Sequence, residues 1–282
     1  MNDVGNIQWF PGHMTKTRRL IEADLKMVDA VVEITDARIP ESSRNPILDE
    51  LVKDKPRIIL MNKCDYADEA ATRAWKQYYE KKGIRVLTCD CRSGKGLNAF
   101  LPEVKRLLAE LIERRKKRGM IGKALRLMVV GIPNVGKSSF INRMAKTKKT
   151  KVGDKPGVTR GKQWVSIDKD VELLDMPGIL WPKFDDQLAA QRLAFTGAIK
   201  DDVMDTEALA RALGAVLKEQ YPDLLNARYK LTGDEDILRD IAKSRGMLVS
   251  GGEPDAERAA AALLDEYRGG KIGRIPLEKP GR

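Results

Sequence analysis

The most specific chemistry in the sequence is carried by Gly131-Ile132-Pro133-Asn134-Val135-Gly136-Lys137-Ser138, which reads G-x-x-x-x-G-K-S. It follows the apolar run Leu125 to Val130 and leads into Phe140-Ile141-Asn142. A buried strand, a glycine-bearing turn and the first turn of a helix form the setting in which successive backbone N–H groups converge on a phosphate. Glycine at both ends lets the backbone curl. The stretch from Asn134 through Val135, Gly136, Lys137 and Ser138 to Ser139 would ring the phosphates, with the Lys137 amine reaching the β- and γ-phosphates as a point charge. The Ser138 hydroxyl would be offered to Mg²⁺. A nucleoside triphosphate is the ligand this chemistry predicts.

Two further stretches sharpen that reading. Asn62-Lys63-Cys64-Asp65 ends the apolar run Arg57 to Met61. An ionised Asp65 is acceptor-only, so it can receive both the ring N1–H and the exocyclic N2–H₂ of guanine, a donor pair adenine lacks. Asn62 would hold the loop and touch the base edge, and the stem of Lys63 would cover the purine face. Asp175-Met176-Pro177-Gly178 ends another apolar strand, about forty residues after the phosphate loop. There Asp175 can hold a Mg²⁺-bound water while the Gly178 N–H meets the γ-phosphate. Between them, Thr159 in the polar loop Pro156-Gly157-Val158-Thr159 suits a mobile segment that completes the Mg²⁺ shell. Cys89-Asp90-Cys91, followed by a glycine-bearing turn, stands where a backbone N–H would meet the guanine O6.

The elements that must position these residues are legible as apolar runs. Strands are expected at Ala30 to Asp36, Arg57 to Met61, Ile84 to Thr88, Leu125 to Val130, Gln163 to Ile167 and Val171 to Leu174. Helices are expected from about Thr15 to Met27, opening at Asn45-Pro46, from Glu69 to Lys82, from Gly96 in one long rod to Arg118, and after the phosphate loop. From Phe184 onward β-type runs vanish. Leu209, Leu213, Val216 and Leu217 share one helical face, Ile237, Leu238 and Ile241 another, and Ala260, Leu263, Leu264 and Tyr267 a third, as in the core of a small bundle. The fold class is therefore α/β, a phosphate-loop sheet followed by an all-helical domain. Residues 1–28 read as an N-terminal extension and helix, 29–183 as the nucleotide domain, 184–268 as the helical domain and 269–282 as a flexible basic tail.

Composition bounds the partners. The chain has 282 residues, with Lys and Arg at 52 against Asp and Glu at 41, a net charge of +11. That excess favours a polyanion. Cys64, Cys89 and Cys91 lack metal-ligand spacing, and the single histidine, His13, cannot complete a zinc site. Neither an export signal nor a run of bilayer-spanning length is visible, so a cytoplasmic monomer without membrane contact is expected.

The order of these stretches is unusual: the base-reading pair precedes the phosphate-reading trio, whereas ordinary GTPases run the other way. Such an order is harmless if the same sheet forms, because loops at strand ends assemble in space. From Trp9-Phe10-Pro11-Gly12-His13-Met14 to Gly270-Lys271-Ile272-Gly273-Arg274 the chain resembles the circularly permuted GTPases that act in assembly of the large ribosomal subunit. The resemblance implies GTP and GDP as ligands with Mg²⁺, K⁺ coordinated by Asn134, and binding to a late large-subunit precursor and its rRNA. It further implies hydrolysis stimulated by the subunit and coupled to release. Ile179 stands where many GTPases place the glutamine that orients water, and the resemblance assigns that task to His13. Where the family usually has Ser-Ala, this chain has Asp90-Cys91. Arg239, Lys243, Arg245, Lys271 and Arg274 are candidate rRNA contacts. A GTPase of tRNA modification, and an RNA-binding protein holding GTP as a structural ligand, remain open as readings of the residues alone.

Overall fold

The computed structural model describes residues 14–52, 55–120, 122–146, 163–178, 186–199, 201 and 204–281. His13, Thr159 and Ile179 lie outside the described residues. The chain divides into two compact units, one built from the described parts of 9–64, 69–182 and 278–282, the other from 65–68 and the described part of 183–277.

The first unit is a six-stranded sheet flanked by helices. In chain order it contains α1 (Met14–Leu25), β1 (Ala30–Asp36), α2 (Pro46–Leu51), β2 (Arg57–Asn62), α3 (Glu69–Lys81), β3 (Arg85–Thr88), α4 (Phe100–Leu107), α5 (Ala109–Lys117), β4 (Leu125–Gly131), α6 (Lys137–Lys146), β5 (Gln163–Asp168) and β6 (Val171–Asp175). The strand order is β3-β2-β1-β4-β6-β5. All neighbours pair in parallel except β5, which runs antiparallel to β6. Every residue of β1 is buried, as a central parallel strand covered on both faces requires. The register sets Ile34 opposite Gly131, Asp36 opposite Asn62 and Val129 opposite Asp175. The predicted base- and phosphate-reading loops thus leave one edge of the sheet, the carboxyl edge, where open α/β sheets place ligands.

Local chemistry explains the helices. Asn45 caps α2 by accepting from the Ile47 N–H at 3.0 Å, with Pro46 in the first turn. Thr72, Trp75 and Tyr79 place the buried stripe of α3. The long rod expected up to Arg118 is broken: α4 and α5 meet at Leu108, where φ is −102° and ψ is 17°. Leu108 is buried. The hydrogen-bond ladder continues across the break, from the Leu108 N–H to Val104 O at 3.0 Å and from the Ile112 N–H to Leu108 O at 2.9 Å.

The second unit holds α7 (Gln187–Phe195), α8 (Thr206–Gln220), α9 (Pro222–Tyr229), α10 (Ile237–Arg245) and α11 (Ala256–Arg268). Asp186, Asp205, Asp236 and Asp255 cap four of them through their carboxylates. Leu209, Leu213, Leu217, Leu238, Ile241, Ala260, Leu263, Leu264 and Tyr267 are buried, so the three stripes form the expected core. Among the described residues no helix is long and apolar enough to cross a membrane.

The flexible tail expected over 269–282 is not what the structure shows. Ile272, Ile275 and Leu277 are buried. The Ile275 N–H donates to Tyr66 O at 2.9 Å and the Tyr221 hydroxyl to Pro276 O at 2.5 Å. Beyond them Glu278 belongs to the sheet unit, where its buried carboxylate accepts from the Glu41 N–H at 2.8 Å, the Ser42 N–H at 3.1 Å and the Ser42 hydroxyl. The Trp75 indole N–H donates to the Glu278 carbonyl at 3.2 Å. Apolar residues spaced among the basic ones, which composition alone hides, explain the order. Glu278→Ala would strand the buried Ser42 amide and hydroxyl, and a loss of about 1–3 kcal/mol is expected in urea unfolding of the nucleotide-free protein. A loss below about 0.5 kcal/mol would show that water replaces the carboxylate without cost.

Candidate functional site

The phosphate-loop strand β4 delivers Gly131 to the sheet edge, and the turn Ile132 to Gly136 enters α6. Asn134 takes φ of 56°, a left-handed conformation that asparagine tolerates in turns. This turn geometry alone accounts for the residue type, and the residue is exposed. Ser138 and Ser139 are exposed at the start of α6. Lys137 is buried, and its amine donates to the carbonyls of Gly131 at 3.1 Å and Ile132 at 2.9 Å. Burial pushes its pKa down to about 8, a fall partly offset by the Asp175 carboxylate. Burial raises the Asp175 carboxyl in turn, against the pull of Lys137.

Close approach explains two glycines. A Cβ on Gly178 would lie 2.9 Å from the Pro133 Cα and 3.0 Å from the Lys137 Nζ, so the D-x-P-G stretch is packed directly onto the phosphate loop. A Cβ on Gly136 would fall 2.3 Å from the Asn62 Nδ2, and the residue has φ of 104°.

Asn62 is the joint between the two halves of the site. Its Nδ2 donates to the Val135 carbonyl at 2.8 Å, and its Oδ1 accepts from the Cys91 N–H at 2.9 Å. One side chain therefore ties the end of β2 both to the phosphate loop and to the loop after β3. Lys63 follows with φ of 60°, its Nζ 3.0 Å from Asp36 Oδ2. Asp65 lies on the short 3₁₀ turn Cys64–Tyr66, and the contacts place 65–68 with the helical unit.

The loop after β3 differs from expectation. The Cys91 N–H, expected to meet the guanine O6, is spent on Asn62. Asp90, expected at the base, folds its carboxylate back on its own turn, accepting from the N–H groups of Arg92 at 2.8 Å and Ser93 at 3.1 Å. Burial opposes ionisation there, and the Ser93 and Arg92 donors outweigh it, holding the carboxyl below its ordinary value. The Arg143 guanidinium, from α6, donates to the Ser93 carbonyl and braces this loop from the phosphate side.

The structure thus brings together Asn62, Cys91, Val135 and Gly136 through Asn62, and Lys137, Asp175 and Gly178 around the lysine amine. Ser138 and Asp175 carry oxygen donors of the type Mg²⁺ takes. What the sequence reading missed is the buried cluster on β1 and the turn after it, Asp36, Arg38 and Ser43; the one signal was an aspartate closing an apolar strand at the ligand edge.

Two solved structures share this architecture. GDP-bound TM YlqF superposes with a TM-score of 0.67 at 29% identity, over 93% of this chain and 99% of that one. GNP-bound YlqF from T. maritima gives 0.65 at 30% identity, over 94% and 98%. A phosphate loop, a D-x-P-G switch stretch and an N-K-x-D stretch on one sheet edge, with the base-reading strands first in the chain, define a circularly permuted GTPase domain. A family model described as 50S ribosome-binding GTPase matches residues 126–225. Ribosome biogenesis GTPase A of Bacillus licheniformis is 48% identical over 281 residues, covering 97% of this chain and 98% of that protein. Its counterpart in Thermotoga maritima is 34% identical over 275 residues, covering 97% and 95%. Mitochondrial ribosome-associated GTPase 1 of Mus musculus is 33% identical over 296 residues, covering 96% and 90%. The chain belongs to the ribosome biogenesis GTPase A family.

Gly136→Ala would drive a methyl into the Asn62 amide and separate the two halves of the site. Affinity for a fluorescent GDP analogue should fall at least roughly tenfold, about 1.4 kcal/mol, and the strained backbone and broken bridge should also lower the unfolding midpoint. Unchanged affinity would show that the Asn62 bridge is dispensable.

Proposed function

We propose that the protein hydrolyses GTP on a late precursor of the large ribosomal subunit, promotes its assembly and leaves after hydrolysis. The observation that carries this reading is the Asn62 bridge, which joins a guanine-type loop to a phosphate loop at one sheet edge. Asp65 would select guanine, and the stem of Lys63 would cover the ring. Backbone N–H groups from Asn134 to Ser139, with the Lys137 amine, would hold the phosphates. Ser138, Thr159 and, through water, Asp175 would hold Mg²⁺, which supplies charge neutralisation at the transferred phosphoryl group when bound. The Gly178 N–H, 44 positions after Asn134 in the chain, would report the γ-phosphate to the segment that follows it. Asn134 would take K⁺.

His13 would orient the attacking water, since Ile179 has no polar group to do so. A phosphoryl transition state asks chiefly for positioning, so a group supplied only on the subunit leaves intrinsic turnover slow. His13→Ala should therefore leave GTP affinity intact and lower subunit-stimulated turnover by about a hundredfold, in the range of general-base effects. Single-turnover hydrolysis with and without large-subunit precursors measures this; equal rates in wild type with and without subunit would support GTP as a structural ligand instead.

The net charge of +11 suits an RNA surface. Within the helical unit several candidate contacts are engaged internally: Lys243 pairs with Asp234 at 2.6 Å, Arg245 with Glu266 at 3.5 Å and Arg239 with Glu253 at 3.8 Å. The three cations are exposed, so rRNA phosphates could compete for them. On α5, Arg115 is committed to Asp29 at 2.6 Å, while Arg114, Lys117 and Arg118 stay exposed.

A further inference from the structure

Asp36 ends β1, the strand that lies between β2 and β4, and so stands between the chain segment carrying Asn62-Lys63 and the one carrying the phosphate loop. Its register partner is Asn62, and the Ala37 N–H donates to the Asn62 carbonyl at 2.9 Å. Asp36 and Arg38 are each 1% exposed. The carboxylate accepts from the Arg38 backbone N–H at 3.0 Å, its Nε at 3.0 Å and its Nη2 at 2.8 Å. The Asp36 N–H donates to the Ser43 hydroxyl at 3.0 Å. Burial alone would raise this carboxyl; Arg38 and Lys63 outweigh it and hold it well below the ordinary carboxylate range.

A buried carboxylate needs a counter-ion, and Arg38 already supplies one in a fork geometry that fixes its orientation. Lys63 is the second cation, its Nζ 3.0 Å from Asp36 Oδ2 and its side chain 21% exposed, so it is not required to neutralise the core. A lysine side chain is rich in rotamers, and an anchored amine selects one path for its stem. The left-handed backbone at Lys63 further limits where that stem can run.

We propose that Asp36 is a positioning residue for the nucleotide base: its carboxylate, oriented by Arg38, anchors the Lys63 amine so that the lysine stem is laid out for the purine face before the nucleotide arrives. This rests on the reading of Asn62 to Asp65 as the base-reading stretch. Ordering the stem in advance removes an entropic cost from binding, and the benefit appears in the release rate of the nucleotide.

The test is a double-mutant cycle on the full chain, with release of ribose-labelled fluorescent GDP read by stopped flow. Lys63→Met keeps the stem and removes the amine; Asp36→Asn keeps a hydrogen-bond acceptor for Arg38 and removes the charge. Each is expected to speed release about tenfold, and the double variant no more than either single one. Preference for GDP over inosine diphosphate, which depends on Asp65, should stay as in wild type in all three. If Asp36→Asn does not fold, Asp36→Glu, which displaces the carboxylate by one methylene, is expected to show the same coupling to Lys63→Met. Multiplicative effects, or normal release from the Asp36 variant beside fast release from Lys63→Met, overturn the proposal while leaving the base reading intact. An Asp65→Asn variant that keeps full preference for guanine over adenine nucleotides overturns the base reading itself.

Discussion

One carboxamide holds the nucleotide edge of the sheet together. The Asn62 side chain gives a hydrogen to the Val135 carbonyl and takes one from the Cys91 amide, and both bonds are buried. A backbone carbonyl and a backbone N–H left buried without partners would each cost about 1–3 kcal/mol, so the bridge satisfies groups that neither loop can satisfy alone. Because the bonds run to loops from two different strands, they fix the spacing between the phosphate loop and the loop after β3. Gly136 is part of the same constraint, since only the absence of a Cβ lets the amide approach.

Around that joint the central strand carries a charge system of its own. Glu33 is buried beside Arg44 and Arg57, which lie 3.3 and 3.5 Å from its Oε2. Burial raises its carboxyl despite both arginines, whereas Asp36 is driven the other way by the tighter embrace of Arg38. Two acids on opposite faces of one strand thus shift in opposite directions because one has a forked, short-range partner and the other does not. The turn that follows β1 is wrapped by Glu278 and Tyr79, whose hydroxyl donates to Glu41 at 2.7 Å.

Much of this is legible in the sequence. Gly131, Gly136, Lys137 and Ser138 announce themselves because a phosphate loop is a local object: spacing along the chain is spacing around the ligand. The six strands are likewise short apolar runs bounded by breakers, and the three apolar stripes of the helical unit follow from period alone. Elsewhere the deciding partner is distant in sequence. Cys91 stands in the loop after the third strand, where a guanine-binding protein places a backbone N–H against the base O6; the residue that holds its N–H, Asn62, sits on another strand. Asp36 looks like the end of a strand until Arg38 and Lys63 are seen to converge on it. The segment after Gly270 reads as a basic tail by composition, yet Ile272, Ile275 and Leu277 are spaced to bury. The break at Leu108 has no sequence signal, since leucine is a good helix former.

The pairing of β1 with β4 has a consequence for how the molecule comes into being. It is a parallel seam between stretches about a hundred residues apart, and such long-range pairings close late. During synthesis β1, β2 and β3 can pair as they emerge, leaving the inner edge of β1 bare until β4 is made. An unpaired edge on a strand that is buried along its whole length in the folded protein invites wrong partners, so the nascent chain passes through a vulnerable interval that a conventional strand order would place elsewhere. Its end coincides with the birth of the nucleotide cleft, and ligand capture would then seal the seam.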